Sequence, residues 1–269
     1  MVDSAGLSKR YGVSQPFFDN EHPQHQVSLN SFYIDRFEVQ NAHYRQYLID
    51  KGIAPPRYWI ENTYVFSMRP QKTKMLNLQK LSHLVSLTFS ESLPDPLTKA
   101  SALELLDKHW AYLDTLPIEQ VTWKQAKQYC QSIGKRLPSE SEWEKAARGH
   151  EGRQFPWGET WHQGNANTGE EHWPFKLAPV GSYVKDKSPF GVFDMAGNAY
   201  EWVADWYLPY PNSDVNDPYF GKKHKVVRGS GYGGVHYALD IFERGSFRGH
   251  LHPDDAKPGM GFRCAKNAN

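Results

Sequence analysis

From residue 150 onward the chain is rich in Gly, Pro, Asn and Trp, broken only by short apolar pieces such as Ala178-Pro179-Val180 and Lys225-Val226-Val227-Arg228. Turn-forming residues at that density interrupt both helical and extended periodicity, so this half of the chain is expected to form short strands joined by long irregular loops. No internal repeat and no low-complexity tract organises it.

The stretch from Val121 to Gly149 has a different grammar. Thr122 can cap a helix that carries Trp123, Ala126, Tyr129, Cys130 and Ile133 and ends at Gly134. Ser139-Glu140-Ser141-Glu142 reads as a capping box, in which Ser139 and Glu142 satisfy each other's backbone donors ahead of Trp143, Ala146 and Ala147; Gly149 closes this second helix. Further upstream, Val27 and Leu29, then Phe32 and Ile34, alternate as one or two short strands would. Val39, Tyr44, Tyr47 and Leu48 return at helical spacing before Gly52.

Between about residues 53 and 115 the pattern becomes helical, and the stretch reads as an insertion. Pro55-Pro56 breaks the chain; Leu76, Leu78, Leu81, Leu84 and Val85 suggest one helix. Asp95-Pro96 would start another, carrying Leu103, Leu106, Trp110 and Leu113. These stripes, like the nine tryptophans, are expected to be packing faces.

With 39% hydrophobic and 14% aromatic residues, a chain of 269 residues can bury a sizeable core. A net charge of +1 with scattered Lys and Arg lacks the basic footprint of a nucleic-acid binder. No run of about 20 apolar residues is present to span a bilayer, and mean hydropathy is −0.70. Met1 is followed at once by Val-Asp-Ser-Ala-Gly, with neither a charged nor an apolar leader region, so no signal peptide is expected within this sequence. The two cysteines, Cys130 and Cys264, exclude a four-cysteine metal site and leave either two free thiols or one bridge.

Several segments occur in an order that resembles the formylglycine-generating enzyme (sulfatase-modifying factor) family. Among them are Glu21-His22-Pro23, Phe32-Tyr33-Ile34-Asp35, Val121-Thr122-Trp123 and the run from Gly134 to Glu144. Phe155-Pro156-Trp157-Gly158, the run from Gly191 to Trp202, Val227-Arg228-Gly229 and Gly261-Phe262-Arg263-Cys264 continue the series. The resemblance covers residues 20–267 apart from the insertion. It implies one α+β domain over 1–269, compact, C-type-lectin-like and poor in regular secondary structure.

Active members of that family oxidise a sulfatase cysteine with oxygen and a copper(I) ion held by two cysteines. At the matching positions this chain has Gly234 and either Leu239 or Asp240. Copper(I) needs soft thiolate ligands, which none of these supplies, so formylglycine synthesis is not expected. The resemblance further implies a structural calcium on Asp194, Gly197, Ala199 and Glu201, the glycine and alanine through their carbonyls. It places a second calcium on Asn167 and the Thr168 carbonyl, although the acidic partner expected a few residues later is replaced by Glu170-Glu171-His172-Trp173-Pro174. A bridge between Cys130 and Cys264 is also implied, and with it a periplasmic or secreted location.

Two functions follow. One is an extracytoplasmic binding or accessory (maturation) domain whose cleft takes a peptide or protein partner. The alternative is a metal-dependent oxidoreductase, with His236, Asp240, His250 and His252 as transition-metal ligands and Arg248 as a further catalytic candidate. Arg228, Arg244, Arg248 and Arg263 are otherwise expected to brace loops, for which a planar five-donor group is suited.

Overall fold

The computed structural model describes residues 18–89, 95–169, 176–232 and 240–268. Of the positions singled out above, Gly234, His236 and Leu239, and the run from Glu170 to Pro174, lie outside the described residues.

In chain order the elements are a 3-10 turn (Asp19–Glu21), β1 (Phe32–Ile34), α1 (Asn41–Lys51), α2 (Arg57–Glu61), a second 3-10 turn (Tyr64–Met68), α3 (Pro70–Lys74), α4 (Leu78–Thr88), α5 (Lys99–Asp114), α6 (Trp123–Ser132) and α7 (Glu140–Arg148). Then come β2 (Tyr200–Trp206), β3 (Lys225–Arg228), β4 (Arg248–Leu251), β5 (Met260–Gly261) and β6 (Ala265–Asn267). This is the mixed α and β architecture expected. Helices fill the first half, and short strands in long loops fill the second.

The central sheet has the order β4-β3-β2-β5, antiparallel except for the β2–β5 pair; β1 and β6 form a separate antiparallel pair. Successive side chains of a strand point to opposite faces, and here both faces are covered. Trp202 and Val227 enter a large core with Tyr44, Trp59, Leu81, Leu106, Tyr129 and Phe262, whereas their neighbours Val203 and Val226 enter a second core with Trp143, Ala147, Met195 and Tyr207. Double coverage explains why β3 reads Val-Val with no polar alternation.

Residues 53–115 pack into the larger of these cores through Trp59, Leu84, Ala102 and Trp110, so the stretch completes the interior. Helix α6 starts at the Thr122/Gln125 capping box and α7 at the Ser139/Glu142 box. Two local expectations are corrected. The cap of α5 is Thr98, whose hydroxyl accepts from the Ser101 N–H while Ser101 returns a bond to the Thr98 N–H, so Asp95-Pro96 precedes the helix. Of the one or two short strands expected here, Phe32 and Ile34 form β1, whereas Val27 and Leu29 form none: they are 50% and 37% exposed, and their alternation serves no buried face.

Cys130 on α6 and Cys264, immediately before β6, form a disulfide in the interior. The alternative of two free thiols is thereby resolved.

Candidate functional site

The loop entering β2 carries the candidate calcium residues. Asp194 and Asn198 adopt left-handed backbone conformations, φ 58° and 72°, which Asp and Asn tolerate better than most residues because their short polar side chains bond locally. The Asn198 side chain is held by distant partners: its Oδ1 accepts from the Ala178 N–H at 2.8 Å and the Asn167 amide at 3.0 Å, and its amide donates to Glu38 Oε2 at 3.1 Å. The Asp186 carboxylate accepts the N–H groups of Met195 and Ala196. The Asp194 carboxylate accepts the Gly181 N–H at 2.6 Å.

Both candidate calcium loops meet here. Asn198 N–H donates to the Asn167 carbonyl at 2.8 Å, and a β-carbon on Gly197 would lie 2.6 Å from that same oxygen. Only glycine permits this approach. We expect Gly197→Ala to lower stability by about 1–3 kcal/mol, the usual cost of forcing backbone apart in a packed interior, as measured by urea denaturation. An unchanged midpoint would mean that the two loops are not packed in this way.

Four carboxylates gather around the loop, all buried: Glu38, Asp186, Asp194 and Glu201. One guanidinium answers them. Arg263 donates from Nε and Nη2 to Glu201 at 2.7–2.9 Å, and from Nη2 to the carbonyls of Phe193 and Asp194. Burial in this crowded setting perturbs titration. Burial, then the nearby Asp194 charge, pushes Asp186 up to about 8 and raises Glu38 well above the carboxylate range; burial raises Asp194 as well. Carboxylate and carbonyl oxygens are the donor type that a hard divalent cation takes, although among the described residues no three acidic side chains are arranged to hold one. Glu201, however, presents both its oxygens to Arg263. Sequence reasoning missed Glu38 and Asp186. The one signal was an acid inside an apolar run, as in Phe37-Glu38-Val39.

The cleft segment follows β3. Gly231 lies flat against Tyr200, the Ser230 hydroxyl donates to Glu243 at 3.3 Å, and the Tyr232 hydroxyl donates to Glu119 at 3.3 Å. Burial raises the Glu119 carboxyl above its ordinary range. Asp240 opens the turn that leads to Arg244. Three arginines tie this region to α7 and the N-terminal segment: Arg228 to Glu144 at 2.7 Å, Arg244 to Glu21 at 2.7 Å, and Arg248 to Glu140 at 2.7 and 2.9 Å. Arg248 also donates to the carbonyls of Asn20 and Leu208 and is 2% exposed, so its geometry is that of a brace.

His250 and His252 lie on and just beyond the edge strand β4. The structure brings them together with His224, which no motif or spacing singles out. The His250 ring stacks on Tyr219 at 4.3 Å between centroids and lies 5.3 Å from His224; His252 lies 6.2 Å from His224. Burial lowers the His250 pKa. Among the described residues no three His, Cys, Asp or Glu side chains are arranged to hold a metal ion.

The sulfatase-modifying factor enzyme 1-like domain matches residues 4–268. The chain belongs to this family. It is 28% identical over 268 residues to the mouse (Mus musculus) inactive C-alpha-formylglycine-generating enzyme 2, a match covering 93% of this chain and 80% of that protein. To the formylglycine-generating enzyme of Streptomyces coelicolor it is 30% identical over 298 residues, covering 98% and 86%. Among solved structures, PvdO from Pseudomonas aeruginosa superposes with a TM-score of 0.61 at 23% identity, covering 93% of this chain and 86% of that one, which bears on the fold. Relatives with and without the activity in their names are thus similarly distant, and identity does not choose between them.

Proposed function

We propose that this chain is an extracytoplasmic member of the family that binds a peptide or protein partner, or assists its maturation, without making formylglycine. One observation carries the reading: the sequence has two cysteines and both are joined in the Cys130–Cys264 disulfide. No thiolate of this chain remains for copper(I), whose protein ligands must be soft. The same disulfide supports an oxidising compartment. Beside the cleft segment Glu119 and Tyr232 are half-buried and hydrogen-bonded to each other, and they are the polar side chains there that a peptide could reach, whereas Ser230 and Glu243 are buried.

Calcium belongs to this reading as a structural ion. Asp194 and Glu201 would hold it through carboxylates, Gly197 and Ala199 through carbonyls, with Asn167 and Thr168 as a second set. Bound there, it would supply positive charge that fixes the loop leading into β2.

The test is incubation of the protein with a sulfatase-type cysteine peptide, copper(I) and oxygen, beside an active family enzyme, with detection of the aldehyde by mass. An unmodified thiol is expected, together with calcium but no stoichiometric transition metal on elemental analysis. Copper-dependent aldehyde formation would overturn the proposal. Stoichiometric iron, copper or zinc would favour the alternative, an oxidoreductase built on His236, Asp240, His250 and His252.

A further inference from the structure

A groove opens at the C-terminal end of α1, away from the loops of the candidate site. Ile49 and Ile53 form one wall, Phe66 and Leu76 contribute to the other, and Arg69 and Lys72 complete its lining; it encloses about 810 Å³. No carboxylate among the described residues lines it. Beside it in the chain, Met75 is 83% exposed and extends the apolar surface at this edge.

Charge in this region is lopsided. Residues 51–80 hold Lys51, Arg57, Arg69, Lys72, Lys74 and Lys80 against Glu61 alone, six cations against one carboxylate, so this stretch carries +5 in a chain whose total is +1. Arg57 is paired with Glu61. The other five cations are in no ion pair among the described residues, and all are exposed.

An apolar trough under a positive field selects an occupant that is apolar on one side and negative on the other. A fatty acid would present one carboxylate, whereas the unpaired cations are spread along some thirty residues of chain and can be answered only by several. An anionic membrane would meet a convex apolar edge better than a concave groove. We propose that this groove docks an acidic, aliphatic-rich segment of a partner protein, with its apolar side chains between Ile53 and Phe66 and its carboxylates opposite Arg69 and Lys72. This surface is independent of whether the cleft carries chemistry.

Random peptides of about a dozen residues, a length that fills such a groove, are selected on the full chain. Enriched peptides should combine Asp or Glu with Leu, Ile, Val or Met, and a synthetic representative should bind in fluorescence polarisation. The double substitution Arg69→Glu and Lys72→Glu should weaken it roughly tenfold, as should high salt, because the cations are exposed and screened. A peptide with Lys in place of its acids should regain binding to that double variant. Both replaced side chains are exposed, and a thermal melt confirms that the variant is folded. Enrichment of no such class, or binding indifferent to the charge reversal, overturns the proposal. Parallel arms with dodecanoate and with phosphatidylglycerol vesicles identify a lipid occupant. Binding of either at this groove in place of the peptides also overturns it.

Discussion

Removal of the Cys130–Cys264 disulfide should lower unfolding stability by about 5 kcal/mol in the chain-entropy model, since the bond closes a loop of 134 residues and cost grows with the logarithm of loop length. Both sulfurs are in the main core, beside Tyr129 and Phe262, so Cys264→Ser adds an unsatisfied hydroxyl and strands the other thiol. The double substitution Cys130→Ala and Cys264→Ala separates these effects. It leaves no polar group behind and reports the cross-link plus a small cavity. Urea denaturation of the wild type with and without reductant, alongside both variants, measures the difference, with thiol alkylation confirming the redox state. A reduced protein that unfolds at the same midpoint as the oxidised one would mean that the cross-link constrains nothing, and would remove its support for an oxidising compartment. A loss of this size is comparable to the whole stability of many domains, so partial unfolding on reduction is expected.

Local features of this fold were the legible ones. The caps of α6 and α7 are satisfied within four residues, so Thr122 and the Ser139/Glu142 box were legible without tertiary information, and the structure adds Gln125 as the partner of Thr122. The strand at Val27 and Leu29 failed because alternation predicts a strand only where one face is buried. Composition left the cysteines open, and only the family resemblance paired them. At the candidate site, the loop from Asp194 to Glu201 stood out as a block, but Glu38 and Asp186 did not. Glu38 reaches the loop across 160 residues of chain to bond Asn198, and no spacing rule spans such a gap. The same holds for Arg248 and Glu140, 108 residues apart. Arginines expected as braces were recognised by type, but their acidic partners came only with the structure.

The buried acids make the largest electrostatic prediction. Among the described residues Arg263 is the single cation facing Glu38, Asp186, Asp194 and Glu201, and both it and Glu201 are fully buried. Arg263→Met should cost about 3–5 kcal/mol near neutral pH, the usual consequence of leaving a buried charge without its partner. The pH dependence has a definite sign. Because the folded-state pKa values of Asp186, Glu38 and Asp194 are raised, the native state holds protons that the unfolded chain has released, from about pH 4 up to the value near 8 at Asp186. Stability in chelator should therefore fall as pH rises through that window, and more steeply in Arg263→Met. Calcium should reverse the slope. A cation that binds the ionised carboxylates stabilises only the native state, so its increment grows as protons leave, and the melting temperature with calcium should rise between about pH 5.5 and 8. Asp194→Ala should abolish the calcium increment while leaving Asp186 and Glu38 to titrate. The two outcomes separate. A melting temperature indifferent to calcium at both pH values would dismiss the ion and keep the proton linkage, whereas a flat profile in chelator would mean that these carboxylates are balanced by positive charge other than Arg263.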